Sequence, residues 1–413
     1  MDKKGYIARS LEATLKDACA AFKVVIVGGA RQVGKSTLIK HFLAGRKDVR
    51  MVTLDDPALR EVARSDPALF LAQYEPPLFI DEFQYAPELL PFIKMRVDEM
   101  DGTGLYFLSG SQLFKMMGEV GESLSGRAAV LSLSSFSQGE ILEAGGRRPF
   151  LPADRPENLS SPVSLKDVQR AVFLGGMPAL VCGGAAMNRD LFFSSYVQTY
   201  VERDIRNVIN IRHADRFTAF LACLASRTGE ELVYEDLASA VGVEAKTIKS
   251  WVGVLASTGL VFLLRAWSGN ATKRIVRRPK IHFMDTGLAC HLARIPDAET
   301  LFASREAGHF FESWVVGQVV RSYQAKGLDP SHYLYCYRDD AQREIDLLIS
   351  RTGRLHPVEI KLASGVGADA MRHFHVVDEL GLERGTGCVL CLSPNVIPVR
   401  GLGSVQNVAA LWR

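Results

Sequence analysis

No stretch of this 413-residue chain holds the roughly 18 consecutive apolar residues that a bilayer-crossing helix requires, so no membrane partner is expected. The opening segment, MDKKGYIARSLEATLKD, is basic but has neither an apolar stretch nor a small-residue cleavage site, so no secretory signal is expected. Cysteine is sparse: seven, an odd number, scattered along the chain, which argues against a disulfide framework and for a cytoplasmic setting. Cys388 and Cys391 form a lone CxxC, but Val389 and Leu390 between them favour a buried strand over a metal or redox pair. The nine histidines are dispersed and suggest no zinc site. A dominant charge is missing too. With 49 Lys+Arg against 46 Asp+Glu, any nucleic-acid footprint must be local. Hydrophobic residues at 47% and charged residues at 23% exclude a disordered, collagen-like or coiled-coil chain. The length fits two to four domains.

What is present begins with Phe22-Lys-Val-Val-Ile-Val27, a β-branched run that stops at Gly28-Gly29 and reads as a buried parallel strand. Gly29-Ala30-Arg31-Gln32-Val33-Gly34-Lys35-Ser36 follows, a full GxxxxGK[ST], and Thr37 to Leu43 continues with helical spacing. Strand, glycine loop and helix are the context this motif needs. Successive backbone N–H groups can close around phosphate oxygens, and the helix N-terminus adds positive potential. Lys35 is expected to reach the β- and γ-phosphates of ATP, and Ser36 to ligate Mg²⁺. Val49 to Leu54 reads as a second strand. Leu78-Phe-Ile-Asp81-Glu82 reads as a third, with Asp81 holding Mg²⁺ through water and Glu82 orienting the attacking water. A fourth, Leu105 to Leu108, ends at Ser109, placed to sense the γ-phosphate or merely to turn the chain.

Gly-Gly-Ala-Arg-Gln-Val-Gly-Lys-Ser-Thr, Phe-Ile-Asp-Glu-Phe-Gln-Tyr-Ala-Pro and Phe-Leu-Ser-Gly-Ser-Gln resemble prokaryotic AAA+-type ATPases that carry a C-terminal domain of unknown function. Ser123-Leu-Ser-Gly-Arg127-Ala, Gly175-Gly-Met-Pro178 and Tyr200-Val-Glu-Arg-Asp204-Ile are similar to that family's pattern, so the resemblance spans nearly the whole chain. It implies the architecture but little about biological role. Arg127 and Arg203 are candidates to stabilise charge on the transferring phosphoryl group, in cis or from a neighbouring subunit. Arg127 could instead cap a helix, and Arg203 could pair with Glu202 or Asp204 on a solvated helix face. The architecture favours a homo-oligomer, a ring or another self-assembly, with a monomer or dimer as the alternative.

Residues 144–165 carry the Gly, Pro, Ser and charge of a linker. Helical patterns at 165–174 and 190–210 suggest a small lid. Residues 216–226, 232–241 and 244–258 then read as three helices, with Gly242 between the last two, and 259–265 as a strand: a winged helix-turn-helix. Lys246, Thr247, Lys249 and Ser250 are its outward-facing recognition candidates. Lys273, Arg274, Arg277, Arg278 and Lys280 form the chain's densest basic cluster, where a wing would lie. These groups would contact DNA phosphates with strong salt dependence. A winged helix can equally bind protein.

Near the C-terminus, Phe310 to Val320 reads as an amphipathic helix carrying Glu312. Arg343 to Ile349 is a strand with Asp346 among apolar neighbours, Thr352-Gly353 a turn, and His356 to Lys361 a second strand ending Glu359-Ile-Lys361. Asp, hairpin, then Glu-x-Lys is the PD-(D/E)xK nuclease pattern. Alternation places Glu359 and Lys361 on one face, with Asp346 able to join them. Glu312, Asp346 and Glu359 would bind Mg²⁺ while Lys361 positions the water. The same residues could form a structural ion pair, or a nuclease fold kept only for DNA binding.

The expected fold is therefore α/β: a P-loop NTPase (AAA+-like) parallel sheet over 1–143, a helical lid over 166–212, a winged helix over 213–285 and a restriction-endonuclease-like α/β domain over 300–413. The expected activity is Mg²⁺-dependent ATP hydrolysis coupled to DNA processing. A protein-recruiting switch without DNA work and an ATP-gated nuclease are the alternatives.

Overall fold

The computed structural model describes residues 5–111, 124–144, 148–202, 214–268 and 278–412. The apolar runs near the amino terminus form β1 (Val24–Gly28), β2 (Arg50–Thr53), β3 (Leu78–Asp81), β4 (Tyr106–Gly110) and β5 (Ala128–Ser132). They make one parallel sheet in the order β2-β3-β4-β1-β5. Its central strands are buried on both faces, which explains their unbroken hydrophobicity. Val25 and Val27 enter one core with Leu15, Leu38 and Ile39, while Val24 and Ile26 enter a second with Phe70, Leu71, Ile93 and Val97. The first core is covered by α1 (Glu12–Ala21) and α2 (Lys35–Leu43). The second is covered by α3 (Pro57–Ser65), α4 (Pro67–Gln73) and α5 (Leu89–Glu99). The first core runs on without a break into the rest of the chain, so the sheet is joined to the later modules through its α1/α2 side.

After α6 (Gln138–Ile141), residues 148–164 form neither helix nor strand, as a linker should, but they are pinned. Phe150 N donates to Ser322 Oγ at 2.9 Å and Val163 N to Asn407 Oδ1 at 3.0 Å. This segment is a strap along the C-terminal domain rather than a free tether. Next come α7 (Leu165–Leu174), whose Ser164 and Asp167 make a reciprocal N-terminal cap, α8 (Pro178–Gly183) and α9 (Arg189–Tyr196), which continues in wider π-type turns over 197–202. The expected lid helix thus changes pitch after Tyr196, and its remainder lies outside the described residues.

Then follow α10 (Ala214–Ser226), α11 (Tyr234–Val241), α12 (Ala245–Ser257) and the antiparallel pair β6 (Val261–Leu264) and β7 (Lys280–Phe283). Gly242, at φ +74°, ends α11 in the left-handed conformation and turns the chain into α12. On α12, Ile248, Trp251, Val252 and Leu255 are buried, and Trp251 meets Phe217 edge-on at 5.2 Å. The sequence pattern starts α11 too early. Leu232 N donates instead to Pro279 O, because the chain before α11 pairs with β7.

Two short helices, α13 (Thr286–Leu292) and α14 (Ala298–Ala303), lead to α15 (Ala307–Gln324). The expectation of an amphipathic α15 is corrected. From Phe310 to Arg321 no residue on it is exposed, because it packs against β7, α7, α13 and α14 at once. The C-terminal sheet contains β8 (Leu334–Arg338), β9 (Glu344–Arg351), β10 (Arg354–Ile360), β11 (Glu383–Arg384), β12 (Gly387–Cys391), β13 (Ile397–Val399) and β14 (Gly403–Asn407). Its order is β13-β14-β12-β10-β9-β8, with β11 beside β10. Thr352 and Gly353, at φ +51° and +77°, close the β9–β10 hairpin where the turn was expected. Cys388 and Cys391 are buried in β12, and burial raises both thiols above their ordinary values, as a structural pair requires.

Candidate nucleotide site and the C-terminal charged cluster

The glycine loop between β1 and α2 leaves the C-terminal edge of the parallel sheet, where such sheets bind ligands. Gly29, at φ +142°, is required: a Cβ there would lie 2.0 Å from Leu133 O. Gly34, at φ +96°, caps α2 in the left-handed region. Lys35 Nζ folds back onto the loop, donating to Ala30 O at 2.8 Å and Gly29 O at 3.1 Å. Burial pushes its ammonium down to about 8 against the opposing pull of Glu82 and Asp81.

Asp81, at the end of β3, accepts from Ser36 Oγ at 2.8 Å and also from Ser109 Oγ at the end of β4. The loop, β3 and β4 therefore converge on one carboxylate oxygen. Glu82 stands at φ +53°, a strained turn that swings its side chain off the strand. Its carboxylate is held by the Gln84 amide, which also reaches Ser111 Oγ at 3.5 Å. Ser36 and Asp81 suit a magnesium ion in donor type and placement: a hydroxyl and a carboxylate in contact at the head of the loop.

Residues 21–142 match the AAA domain family model. The amino-terminal module is an AAA-type P-loop ATPase domain. Residues 165–299 and 307–411 match two further family models, each described as a domain of unknown function, DUF8612 and DUF4143. The chain is 28% identical over 358 residues to uncharacterized proteins of Mycobacterium tuberculosis (Rv2008c) and Mycobacterium bovis (Mb2031c), covering 86% of this chain and 74% of each relative. Among solved structures it is similar to the Walker-type ATPase PABY2304 of Pyrococcus abyssi, at TM-score 0.41 and 15% identity, covering 71% of this chain and 98% of that one. A RuvB mutant of Thermotoga maritima is similar at TM-score 0.31 and 16% identity, covering 61% and 88%.

The ATPase module has one partner of its loop that the motif does not announce. Arg9 is buried; it donates to Val33 O of the loop at 2.8 Å and to Ser134 O at 2.6 Å, and pairs with Glu140 at 3.1 Å. Its guanidinium lies over the Phe136 ring at 4.5 Å. Nothing local could have revealed this, since Glu140 is 131 residues away. Gln84 and Ser111 lie within the quoted family patterns, but the Gln84 contacts with Glu82 and Ser111 were not marked there. Arg31 lies within the loop, its Nη2 donating to Tyr85 Oη at 3.2 Å, and Thr37 continues into α2. Gln32, at φ +60°, takes the left-handed conformation within the loop.

Arg127 corrects an expectation. It precedes β5, whose Ala128 is level with Val24 at the start of β1, so it lies at the opposite end of the sheet from the loop. Four residue steps separate these levels, about 13 Å. Its guanidinium pairs with Asp98 instead, half in solvent. In cis it serves no phosphate. Arg203, Lys273, Arg274 and Arg277 lie outside the described residues. Lys246 and Lys249 are exposed on α12 with Thr247 partly so, and Arg278 is exposed.

Lys280 is the second correction. It belongs to no basic surface, being 7% exposed within β7. Its Nζ lies 2.7 Å from Glu344, 2.9 Å from Glu312 and 3.7 Å from Asp346. The expected convergence of Glu312, Asp346, Glu359 and Lys361 is found, with this extra lysine among them. Lys361 Nζ lies 2.7 Å from Glu359 and 3.7 Å from Asp346, whose Oδ2 accepts from Ile360 N at 2.9 Å. Burial and the neighbouring carboxylates push Glu312 and Glu359 upward, against the pull of the lysines. Burial works to lower Lys280, but the carboxylates outweigh it and hold the ammonium charged. A divalent metal does not fit this arrangement. Every carboxylate is already paired with an ammonium, and among the described residues no group of three metal-ligating side chains is set for an ion. No cleavage step follows from it.

Proposed function

We propose that this protein hydrolyses ATP and couples turnover to DNA contact through the helix-turn-helix unit of α11, α12 and the β6–β7 ribbon. The observation carrying the first half is the convergence of Ser36, Asp81 and Ser109, with Glu82 beside them, at the head of the P-loop. Lys35 would exchange its carbonyl partners for β- and γ-phosphate oxygens, and Glu82 would orient the attacking water and take its proton. Magnesium held by Ser36 and Asp81 would neutralise phosphate charge. Supporting the coupling, the turn after α12 leans on the loop: a Cβ at Gly259 would lie 3.9 Å from Ala30 N. A change at the phosphates thus has a short path to α12, whose Lys246, Thr247 and Lys249 face outward.

Hydrolysis is measured with and without duplex, forked and four-way DNA at two salt concentrations. The wild type is expected to be stimulated by DNA, less so at high salt. Glu82→Gln should bind ATP but turn over at least about 100-fold more slowly, and Lys246→Ala with Lys249→Ala should lower the salt slope of binding by about 2. Wild-type turnover in Glu82→Gln refutes the ATPase assignment. Unchanged hydrolysis with no bound DNA moves the helix-turn-helix to a protein partner. An arginine acting from the position of Arg127 would have to come from a neighbouring subunit, so the same preparation should run as an oligomer when loaded with ATP.

A further inference from the structure

We infer that Lys280 is the resident cation of the C-terminal carboxylate cluster. Its ammonium stands where a divalent metal ion would, joins the β6–β7 ribbon to α15 and β9, and leaves no metal-dependent nuclease site at this cluster. Four carboxylates meet here: Glu312 from α15, Glu344 and Asp346 from β9, and Glu359 from β10. Two ammoniums answer them, Lys361 directly after β10 and Lys280 from another module. The Lys280 contacts of 2.7 and 2.9 Å have the length of charge-assisted hydrogen bonds.

Lys280 is not a passing surface lysine. Its neighbours in β7 hold it: Ile281 N donates to Glu230 O at 3.0 Å, and Ile281 O accepts from Gly229 N at 2.7 Å. The ribbon is also tied to β8, where Trp267 N donates to Cys336 O at 2.7 Å and Cys336 N to Arg265 O at 2.9 Å. A cation delivered by the chain acts at a high effective concentration, which a free ion must overcome. Access is not the obstacle. A cleft of about 300 Å³, lined by Glu231, Arg278, Lys280, Arg338, Asp339 and Glu344, reaches the Lys280–Glu344 side of the cluster. The inference stands apart from the ATPase reading, since it concerns neither the P-loop nor α12.

The test is a Mn²⁺ titration of nucleotide-free, full-length protein, with free Mn²⁺ followed by electron paramagnetic resonance. Wild type and Asp346→Asn are expected to give the same curve, because no ion enters the cluster. Lys280→Met is expected to gain one Mn²⁺ site, at least tenfold tighter than any in the wild type, that disappears when Asp346→Asn is added. A wild-type Mn²⁺ site abolished by Asp346→Asn overturns the inference. So does a folded Lys280→Met protein, intact by circular dichroism, that gains no site. Should Lys280→Met fail to fold, Lys280→Met with Glu312→Gln removes the close ion pair together. That variant is expected to fold and bind Mn²⁺ through the remaining carboxylates, and a folded variant that gains no Mn²⁺ refutes the inference.

Discussion

Replacing Arg9 by Met is the sharpest probe of how the amino-terminal segment supports the P-loop. Met keeps much of the apolar contact with Phe136 and removes the charge, the two bonds to Val33 O and Ser134 O, and the pair with Glu140. Breaking a buried ion pair typically costs about 3–5 kcal/mol because one charge is stranded. Here Glu140 keeps three donors, Ser10 N at 2.8 Å, Ser137 N at 2.8 Å and Ser137 Oγ at 3.2 Å, which lowers that cost. The two orphaned carbonyls each add about 1 kcal/mol. The net expectation is a loss of about 3 kcal/mol in urea unfolding of the ATPase module followed by circular dichroism. Arg9→Lys, which keeps the charge but not the fork, should lose less, about 1–2 kcal/mol. Loosening of Val33 should also weaken ATP binding roughly fivefold, about 1 kcal/mol. Adding Glu140→Gln to Arg9→Met should recover at least about 1 kcal/mol of the summed single effects. An Arg9→Met protein within about 1 kcal/mol of wild type, with unchanged ATP affinity, would refute the reasoning.

Two further outcomes follow from burial. His282 has Nδ1 on Ser313 Oγ at 3.0 Å, its Nε2 is buried without a partner among the described residues, and burial pushes the imidazole down to about 3. The unfolded chain therefore binds the extra proton first, so stability falls as pH drops from about 6.5 towards 3. Glu312 and Glu359, both raised, slope the other way, their contribution being full below about 4.5 and lost as pH rises above it. The difference between wild type and His282→Phe isolates the imidazole: wild type should lose about 2 kcal/mol more between pH 7 and 5, and equal losses would exclude it. Gly29→Ala should abolish ATP binding, since its Cβ would stand 2.0 Å from Leu133 O; retained nucleotide affinity by calorimetry would show that the loop can move aside.

Local pattern was sufficient for four strands of the parallel sheet and for the loop, while β5 went unread. A strand buried on both faces must be continuously apolar, and a chain turning around phosphates needs Gly29 and Gly34, so β1, β3 and the P-loop were legible, although β1 begins at Val24, two residues later than the pattern. The Asp346, Glu359 and Lys361 convergence was legible for the same reason, because a tight hairpin fixes register. The reading failed for residues whose role is set by distant partners. Lys280 looks like part of a basic wing among Arg277, Arg278 and Lys273, yet β7 pairs with β6 and carries it into the carboxylates of α15 and β9. Arg127 looks like a phosphate arginine until the register of β5 on β1 sends it to the far edge of the sheet. The amino-acid order alone was enough to locate β1 to β4, the glycine loop and the β9–β10 hairpin, since those depend on near neighbours and side-chain period. Which charges meet across remote segments came from the packing alone, because an ion pair such as Arg9–Glu140 or Lys280–Glu312 needs elements far apart in sequence to be brought together.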